Sequence, residues 1–336
     1  MSARTKPADT KLLICVVSHF TQWNAEPVMA ETVRKKWPQM HVLHLPDYDG
    51  LLAELPDTDI FVGSTLRTPQ FAVAKKLKWV HSTSAGVSQL MYPELRNSGI
   101  VVTNASGVFS VPMAEHTMGL LLALARNFPD TLRQQEKAVW SQQVVWDKPQ
   151  RLSELNGCVL LIVGYGSIGR EVAQRAYAMG MRVWGATRSG EGDLTHAEKI
   201  IPAADLKRVL PGADYVLLCA PETLDTERLI GAPQLALMKR GARLINVGRG
   251  SLLDETALVA ALESGALGGA ALDVTETEPL PAASPLWHAP NLFITPHTSA
   301  LSDRLWPRET SLLVELLERW FDGRDLINRV DFARGY

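Results

Sequence analysis

Short apolar runs alternate with segments of helical period along almost the whole chain. That alternation is the mark of repeated strand–helix–strand units building a parallel sheet. Within the first third, strands are predicted over 12–17, 59–62, 79–82 and 100–102, and helices over 24–37 and 69–77. Asn24 stands where an N-cap belongs, and Pro38 closes that helix. Residues 111–127 (VPMAEHTMGLLLALARN) read as a long helix with Pro112 in its first turn, apolar enough to be buried on most sides. The more polar stretch 133–151 reads as an arm or linker. A second series then predicts strands over 158–163, 182–186, 215–219, 243–247, 270–274 and 292–295, the strand count of a doubly wound sheet. Leu312, Leu313, Leu316, Leu317, Trp320 and Phe321 recur at helical spacing in a last helix, about 303–322. No strand is left for it to lead to, so it is expected to fold back on the first domain.

The expected architecture is α/β: two Rossmann-like or flavodoxin-like domains with doubly wound parallel sheets, the second inserted into the first. Residues 1–107 and 299–336 would form the outer domain and 108–298 the inserted one. Composition agrees with two domains. The 336 residues are 46% apolar and 21% charged, with 34 basic against 36 acidic side chains and a net charge of −2. No like-charge run suggests a nucleic-acid face, and no apolar run approaches the length of a bilayer span or a signal-peptide core. A cytoplasmic protein is expected. Cys15, Cys158 and Cys219 lack metal-ligand spacing and are an odd number, which predicts reduced thiols buried in strands.

Candidate chemistry begins at Gly164-Tyr165-Gly166-Ser167-Ile168-Gly169, between a predicted strand and a predicted helix. In that context a GxGxxG turn binds a dinucleotide. Gly164 permits the tight turn, Gly166 lets a pyrophosphate approach the backbone, and Gly169 brings the helix close to the strand. An acid about twenty residues on would hold the ribose 2′-hydroxyl of NAD. Here the strand ends Thr187-Arg188-Ser189. Arg188 can pair with a 2′-phosphate, and Thr187 and Ser189 add hydroxyls, so NADP is the expected cofactor, with NAD the alternative if Arg188 is only a solvated loop residue.

Three further strand ends carry reactive groups: Arg249 in NVGRG, Glu278 in LDVTETEP, and His297 in TPHT. Together with a dinucleotide turn they suit reduction of a 2-keto acid. Arg249 would bind the substrate carboxylate and polarise the carbonyl. His297 would protonate the carbonyl oxygen, and Glu278 would hold the other imidazole nitrogen. His19, His41, His44, His81, His196 and His288 show no metal-ligand spacing, and no metal is expected. His116, in the apolar helix, reads as a satisfied buried histidine. Trp306 and Tyr48 are candidates for shaping the substrate pocket, with packing as their more ordinary role.

The order GYGSIG, NVGRG with Asp254 shortly after, ALDVTETEP and TPH resembles the D-isomer-specific 2-hydroxyacid dehydrogenases, over roughly residues 107–300. The missing acid and the TRS sequence make the resemblance closest to the NADPH-dependent glyoxylate/hydroxypyruvate reductases. The resemblance implies that Arg249, Glu278 and His297 are catalytic, and that Ser167 and Ile168 belong to the pyrophosphate turn. It implies that Ala220, Pro221 and Thr226 lie over the adenosine half, and that Val247, Gly248 and Asp273 lie on the nicotinamide side. Ser84, Ala85 and Gly86 resemble the loop whose amides hold a substrate carboxylate, although Val87-Ser88 follows where many relatives carry an acid. It further implies a homodimer joined through the cofactor domains, with the 133–151 arm crossing it, and a substrate such as glyoxylate or hydroxypyruvate. Formate oxidation is disfavoured by Glu278, since relatives with that chemistry pair the histidine with Gln. A phosphate-bearing substrate is disfavoured by the lack of cations in 82–87. The reading from another class is a nucleotide-sensing protein like the corepressors that resemble this family.

Overall fold

The computed structural model describes residues 6–147 and 152–335. Two compact units divide them, one of Met1–Phe109 with Ser302–Tyr336 and one of Ser110–Leu301. The first is built on five parallel strands: β1 (Lys11–Ile14), β2 (His41–His44), β3 (Ile60–Gly63), β4 (Trp79–Ser82) and β5 (Val101–Thr103). Their order, β2-β1-β3-β4-β5, is the flavodoxin-like one. Helices α1 (Pro27–Lys36), α2 (Leu51–Glu54), α3 (Thr68–Val73) and α4 (Pro93–Arg96) connect them. β1 and β3 are buried at every position, as central strands covered on both faces must be.

The second unit opens with α5 (Ser110–Ala125), which packs on α8 (Ser167–Ala178) and on strands β10 (Arg243–Asn246) and β11 (Gly269–Leu272). After α6 (Phe128–Glu136) and α7 (Gln142–Trp146) comes a seven-stranded parallel sheet. Its strands are β6 (Val159–Val163), β7 (Arg182–Thr187), β8 (Lys199–Pro202), β9 (Tyr215–Leu218), β10 (Arg243–Asn246), β11 (Gly269–Leu272) and β12 (Leu292–Ile294). Helices α8 (Ser167–Ala178), α9 (Leu206–Val209), α10 (Ala232–Leu235) and α11 (Glu255–Glu263) lie between them. The order β12-β11-β10-β9-β6-β7-β8 reverses direction between β6 and β9, the place where doubly wound sheets bind ligands. The chain then returns to the first unit with α12 (Leu305–Asp322), which packs on α1. An antiparallel bridge between Thr103 and Arg329 fastens the tail to β5.

Several local expectations need correction. Helix α1 starts at Pro27, not at Asn24. The residue before a proline is kept extended, and Glu26 is (φ −76°, ψ 145°), while Asn24 Oδ1 accepts from the Ser18 amide at 2.6 Å. Helix α3 stops at Val73, short of residue 77. Strands β2 and β8 were not foreseen. The first has one fully buried residue and the second none, so neither shows the apolar run of a central strand. The 133–151 stretch is partly helical, in α6 and α7, and residues 148–151 lie outside the described ones. Each cysteine flanks a strand instead of lying within it, and only Cys15 is a wholly buried residue, although all three are free. Trp306 is buried and donates Nε1–H to the Gln22 carbonyl at 3.0 Å. Tyr48 is half-exposed, with its hydroxyl on the Val17 carbonyl at 3.1 Å.

Candidate active site

The glycine-rich turn leaves β6 and enters α8 in a way only glycine allows. Gly164 has φ 101°, and a Cβ there would lie 2.4 Å from the Ala220 nitrogen. A Cβ on Gly169 would lie 2.6 Å from the Gly164 carbonyl oxygen, so the helix sits directly on the turn. Gly166 differs from both, because a Cβ there would meet nothing within 4 Å. Open space therefore faces the first turn of α8, where the amides of Ser167 and Ile168 precede any intrahelical partner. This combination fits a pyrophosphate. Cys219, across the turn, donates its thiol to the Gly164 carbonyl at 3.1 Å, and burial pushes that thiol up to about 12. It is a packing group and not a nucleophile.

At the end of β7, Thr187 closes a local turn, its hydroxyl donating to the Glu191 carbonyl and accepting from the Gly190 amide, each at 3.0 Å. Ser189 Oγ accepts from the Glu191 amide at 3.3 Å, and both Arg188 and Ser189 are exposed. The loop after β9 is tied similarly. Thr226 donates to the Pro221 carbonyl at 2.8 Å and accepts from the Thr223 amide at 2.8 Å. Thr187, whose hydroxyl sequence alone reads as a ligand donor, and Thr226, which the resemblance places over the adenosine half, thus use their hydroxyls to shape backbone.

Strands β10, β11 and β12 are neighbours, so their C-terminal loops emerge side by side. After β10, the buried Asn246 holds the loop from within: its Nδ2 donates to the Arg249 carbonyl at 2.8 Å and its Oδ1 accepts from the Gly248 amide at 3.0 Å. Val247 beside it is buried. Arg249 rests one guanidinium N–H on the Gly248 carbonyl at 2.7 Å. At Gly250 the next loop comes so close that a Cβ would lie 2.0 Å from the Thr275 carbonyl carbon. Asp254 caps α11 by accepting from the Ala257 amide at 2.9 Å, a bond worth about 1 kcal/mol.

Glu278 and His297 meet here. His297 Nδ1 lies 2.6 Å from Glu278 Oε2, and Glu278 Oε1 accepts from the Thr275 amide at 3.0 Å. Both carboxylate oxygens act as acceptors, so Nδ1 carries the proton of that contact and Nε2 is left for exchange with a ligand. His297 has φ 51°, a backbone region that non-glycine residues seldom occupy. In the first unit, the carbonyls of Ser84, Ala85 and Gly86 are held by the Ala105 amide, Asn104 Nδ2 and Gln89 Nε2. Among the described residues, the Ala85 and Gly86 amides have no hydrogen-bond partner.

Residues 118–299 match the family model described as D-isomer specific 2-hydroxyacid dehydrogenase, NAD binding domain. The chain belongs to this family. It is 33% identical over 279 residues to a glyoxylate reductase of Korarchaeum cryptofilum, covering 81% of this chain and 82% of that one. It is also 33% identical over 278 residues to a D-3-phosphoglycerate dehydrogenase of Methanocaldococcus jannaschii, covering 82% of this chain but only 52% of that longer protein. Among solved structures it resembles an NADPH-dependent glyoxylate/hydroxypyruvate reductase of Sinorhizobium meliloti in complex with NADP and sulfate. That likeness has a TM-score of 0.81 at 26% identity and covers 97% of this chain and 100% of that one. The second unit of this oxidoreductase-family chain therefore carries an NAD-binding domain.

Membership in the family does not bring out the residues that support the two loops. Asp273, 2% exposed, gathers the loop of His297. It accepts from the Thr295 hydroxyl at 2.7 Å and from the Thr298 and Ser299 amides at 3.0 Å each. Burial alone would push this carboxyl up, but those hydrogen bonds outweigh it and hold Asp273 below its ordinary value. Glu255, at the start of α11, accepts from the Glu276 amide at 2.7 Å and so steadies the loop of Glu278. Burial raises its carboxyl, with the charges of Glu276 and Glu278 adding to the rise. Thr295 stands inside the quoted TPH triplet and Glu255 directly after Asp254, but sequence gave no sign of either contact.

Proposed function

We propose that this chain is a reductase of small 2-keto acids such as glyoxylate or hydroxypyruvate, using NADPH in preference to NADH and giving the 2-hydroxy acid. The observation that carries the proposal is the Glu278–His297 contact at 2.6 Å, with the far imidazole nitrogen available, in the domain that bears the dinucleotide turn. The turn at Gly164–Gly169, with open space before α8, would hold the pyrophosphate, and Val247, Gly248 and Asp273 would lie on the nicotinamide side. When bound, the nicotinamide would supply the hydride that reduces the carbonyl carbon. Arg249 would pair with the substrate carboxylate and polarise the carbonyl, and the Ala85 and Gly86 amides beside Ser84 would donate to a substrate carboxylate. His297 would give its Nε2 proton to the carbonyl oxygen, while Glu278 favours the protonated ring and fixes its orientation.

The preference for NADPH rests on Thr187-Arg188-Ser189, which puts a guanidinium where an acid would repel a 2′-phosphate. The NADP-bound relative from S. meliloti supports the same assignment. The loop 82–87 carries no cation for a phosphorylated substrate, which favours glyoxylate over the substrate named for the M. jannaschii relative. Residues 1–107 with 299–336 would form the substrate domain and 108–298 the cofactor domain. The exposed Phe128, Leu132, Val139, Trp140 and Trp146 on and around α6 and α7 would be covered in a homodimer. No helix among the described residues is long and apolar enough to cross a membrane, and the free cysteines suit a cytoplasmic setting.

The test is consumption of NADPH and NADH, side by side, against a panel of glyoxylate, hydroxypyruvate, pyruvate and 3-phosphohydroxypyruvate. Turnover with the small acids and a lower KM for NADPH is expected. A clear preference for NADH removes the role given to Arg188, and no turnover with any keto acid favours a sensing protein.

A further inference from the structure

His116 takes no part in the chemistry above, yet it is wired to it. From α5 its Nε2 reaches within 3.0 Å of Thr295 Oγ1 and 3.6 Å of Asp273 Oδ1. The Thr295 hydroxyl already donates its one proton to Asp273 Oδ1 at 2.7 Å, so toward His116 it can only accept. That fixes Nε2 of His116 as the N–H donor and gives the chain of bonds a single direction, imidazole to hydroxyl to carboxylate. The carboxylate in turn takes the amides of Thr298 and Ser299, and the Asp273 carbonyl takes the amide of His297 at 2.8 Å. Four anchors of the turn that carries His297 thus converge on Asp273, beside the bonds of the His297 amide to the Thr295 carbonyl at 3.0 Å and of the Thr295 amide to the Leu272 carbonyl at 2.9 Å. The turn needs anchors, because His297 sits at φ 51°, a conformation kept only where surroundings over-determine it.

We propose that His116 is a positioning residue for His297, acting through Thr295 and Asp273. The inference rests on the role given to His297 above. Removing the N–H of His116 frees the Thr295 hydroxyl to turn away from Asp273, loosening the anchor on which the proton donor depends. A general acid displaced by a fraction of an ångström loses rate without losing ligand affinity. The effect should therefore fall on kcat.

The experiment is steady-state reduction of glyoxylate by His116→Leu, His116→Gln, Thr295→Val and the double variant His116→Leu/Thr295→Val, with His297→Asn alongside. His116→Leu is expected to lower kcat about tenfold while both KM values stay within about twofold. Gln, whose side-chain amide donates from nearly the same place, should restore most of the loss. The double variant should be no slower than Thr295→Val alone, because both substitutions break one path. Wild-type kcat in His116→Leu, a change confined to KM, or losses that multiply in the double variant would overturn the proposal. If His116→Leu does not fold, Thr295→Val against Thr295→Ser decides: a slow valine variant with an active serine variant supports it, and equal kcat values overturn it. A fully active His297→Asn means that the functional reading itself has failed. An inactive His297→Asn beside an unaffected His116→Leu means that only this inference has failed.

Discussion

Among the described residues, the two shortest histidine–carboxylate contacts, one in each unit, have nearly the same length and differ in almost everything else. In the first unit, His81 on β4 meets Glu309 on α12 at 2.8 Å, with side chains 0% and 1% exposed. In the second, His297 meets Glu278 at 2.6 Å, with side chains 46% and 37% exposed. Both ring nitrogens of His81 are occupied. Thr103 Oγ1, which accepts from Trp79 Nε1 at 2.9 Å, sits 2.8 Å from Nδ1, and Glu309 Oε1 sits 2.8 Å from Nε2. His297 uses one nitrogen and keeps the other for a ligand. An imidazole beside a carboxylate is thus not itself a catalytic feature. A dry pair whose imidazole has both nitrogens engaged ties a helix to a sheet, whereas a half-exposed pair with a spare nitrogen can move a proton.

The largest effect that could break this contrast concerns the buried pair. Glu309→Ala leaves His81 buried without its partner and should cost about 3–5 kcal/mol in urea denaturation, with kcat of the folded protein nearly unchanged. Loss of activity at unchanged stability would reverse the assignment of the two pairs. Next, Glu278→Gln removes the charge and leaves one acceptor oxygen where His297 and the Thr275 amide use two, so kcat should fall roughly 100-fold with only a small change in melting temperature. At the cofactor, Arg188→Ala should raise KM for NADPH about tenfold and leave that for NADH nearly as it was. The smallest effect concerns Glu255. A carboxyl whose pKa is raised by folding holds its proton more tightly in the native state. Its penalty is absent below the unfolded pKa and grows as pH rises through the folded one. Glu255→Gln should therefore raise the melting temperature at about pH 7 and lose that advantage near pH 4. An equal shift at both pH values would deny the open pair its crowded, acidic surroundings.

What could be read from the sequence follows from the range of the forces involved. Central strands such as Val159–Val163, buried at every residue, announce themselves as unbroken apolar runs, and with them the α/β class. Edge strands need less burial, and His41–His44 and Lys199–Pro202 look like loops for that reason. The glycine turn is legible from its spacing, although only Gly169 answers to the turn itself, Gly166 facing open space and Gly164 the backbone of the distant Ala220. The order of the motifs displayed Arg249, Glu278 and His297 as candidates, and the structure brings the last two into contact. Sequence could not display the anchors. The resemblance places Asp273 on the nicotinamide side without showing what it anchors, Thr295 and Ser299 look like ordinary polar residues until the chain is folded, and His116 lies 179 residues from the threonine it touches. Nor could it show that the hydroxyls of Thr187 and Thr226 would be used within their own turns.

The most direct measurement is the rate of glyoxylate reduction by NADPH in His297→Asn, with folding checked by circular dichroism and dinucleotide affinity by titration. The proposed proton transfer requires kcat to fall by roughly 10²–10⁴, with the dissociation constant for NADPH unchanged. Turnover within a few-fold of the unmodified protein would contradict it, and the exposed pair would then be no more catalytic than the buried one.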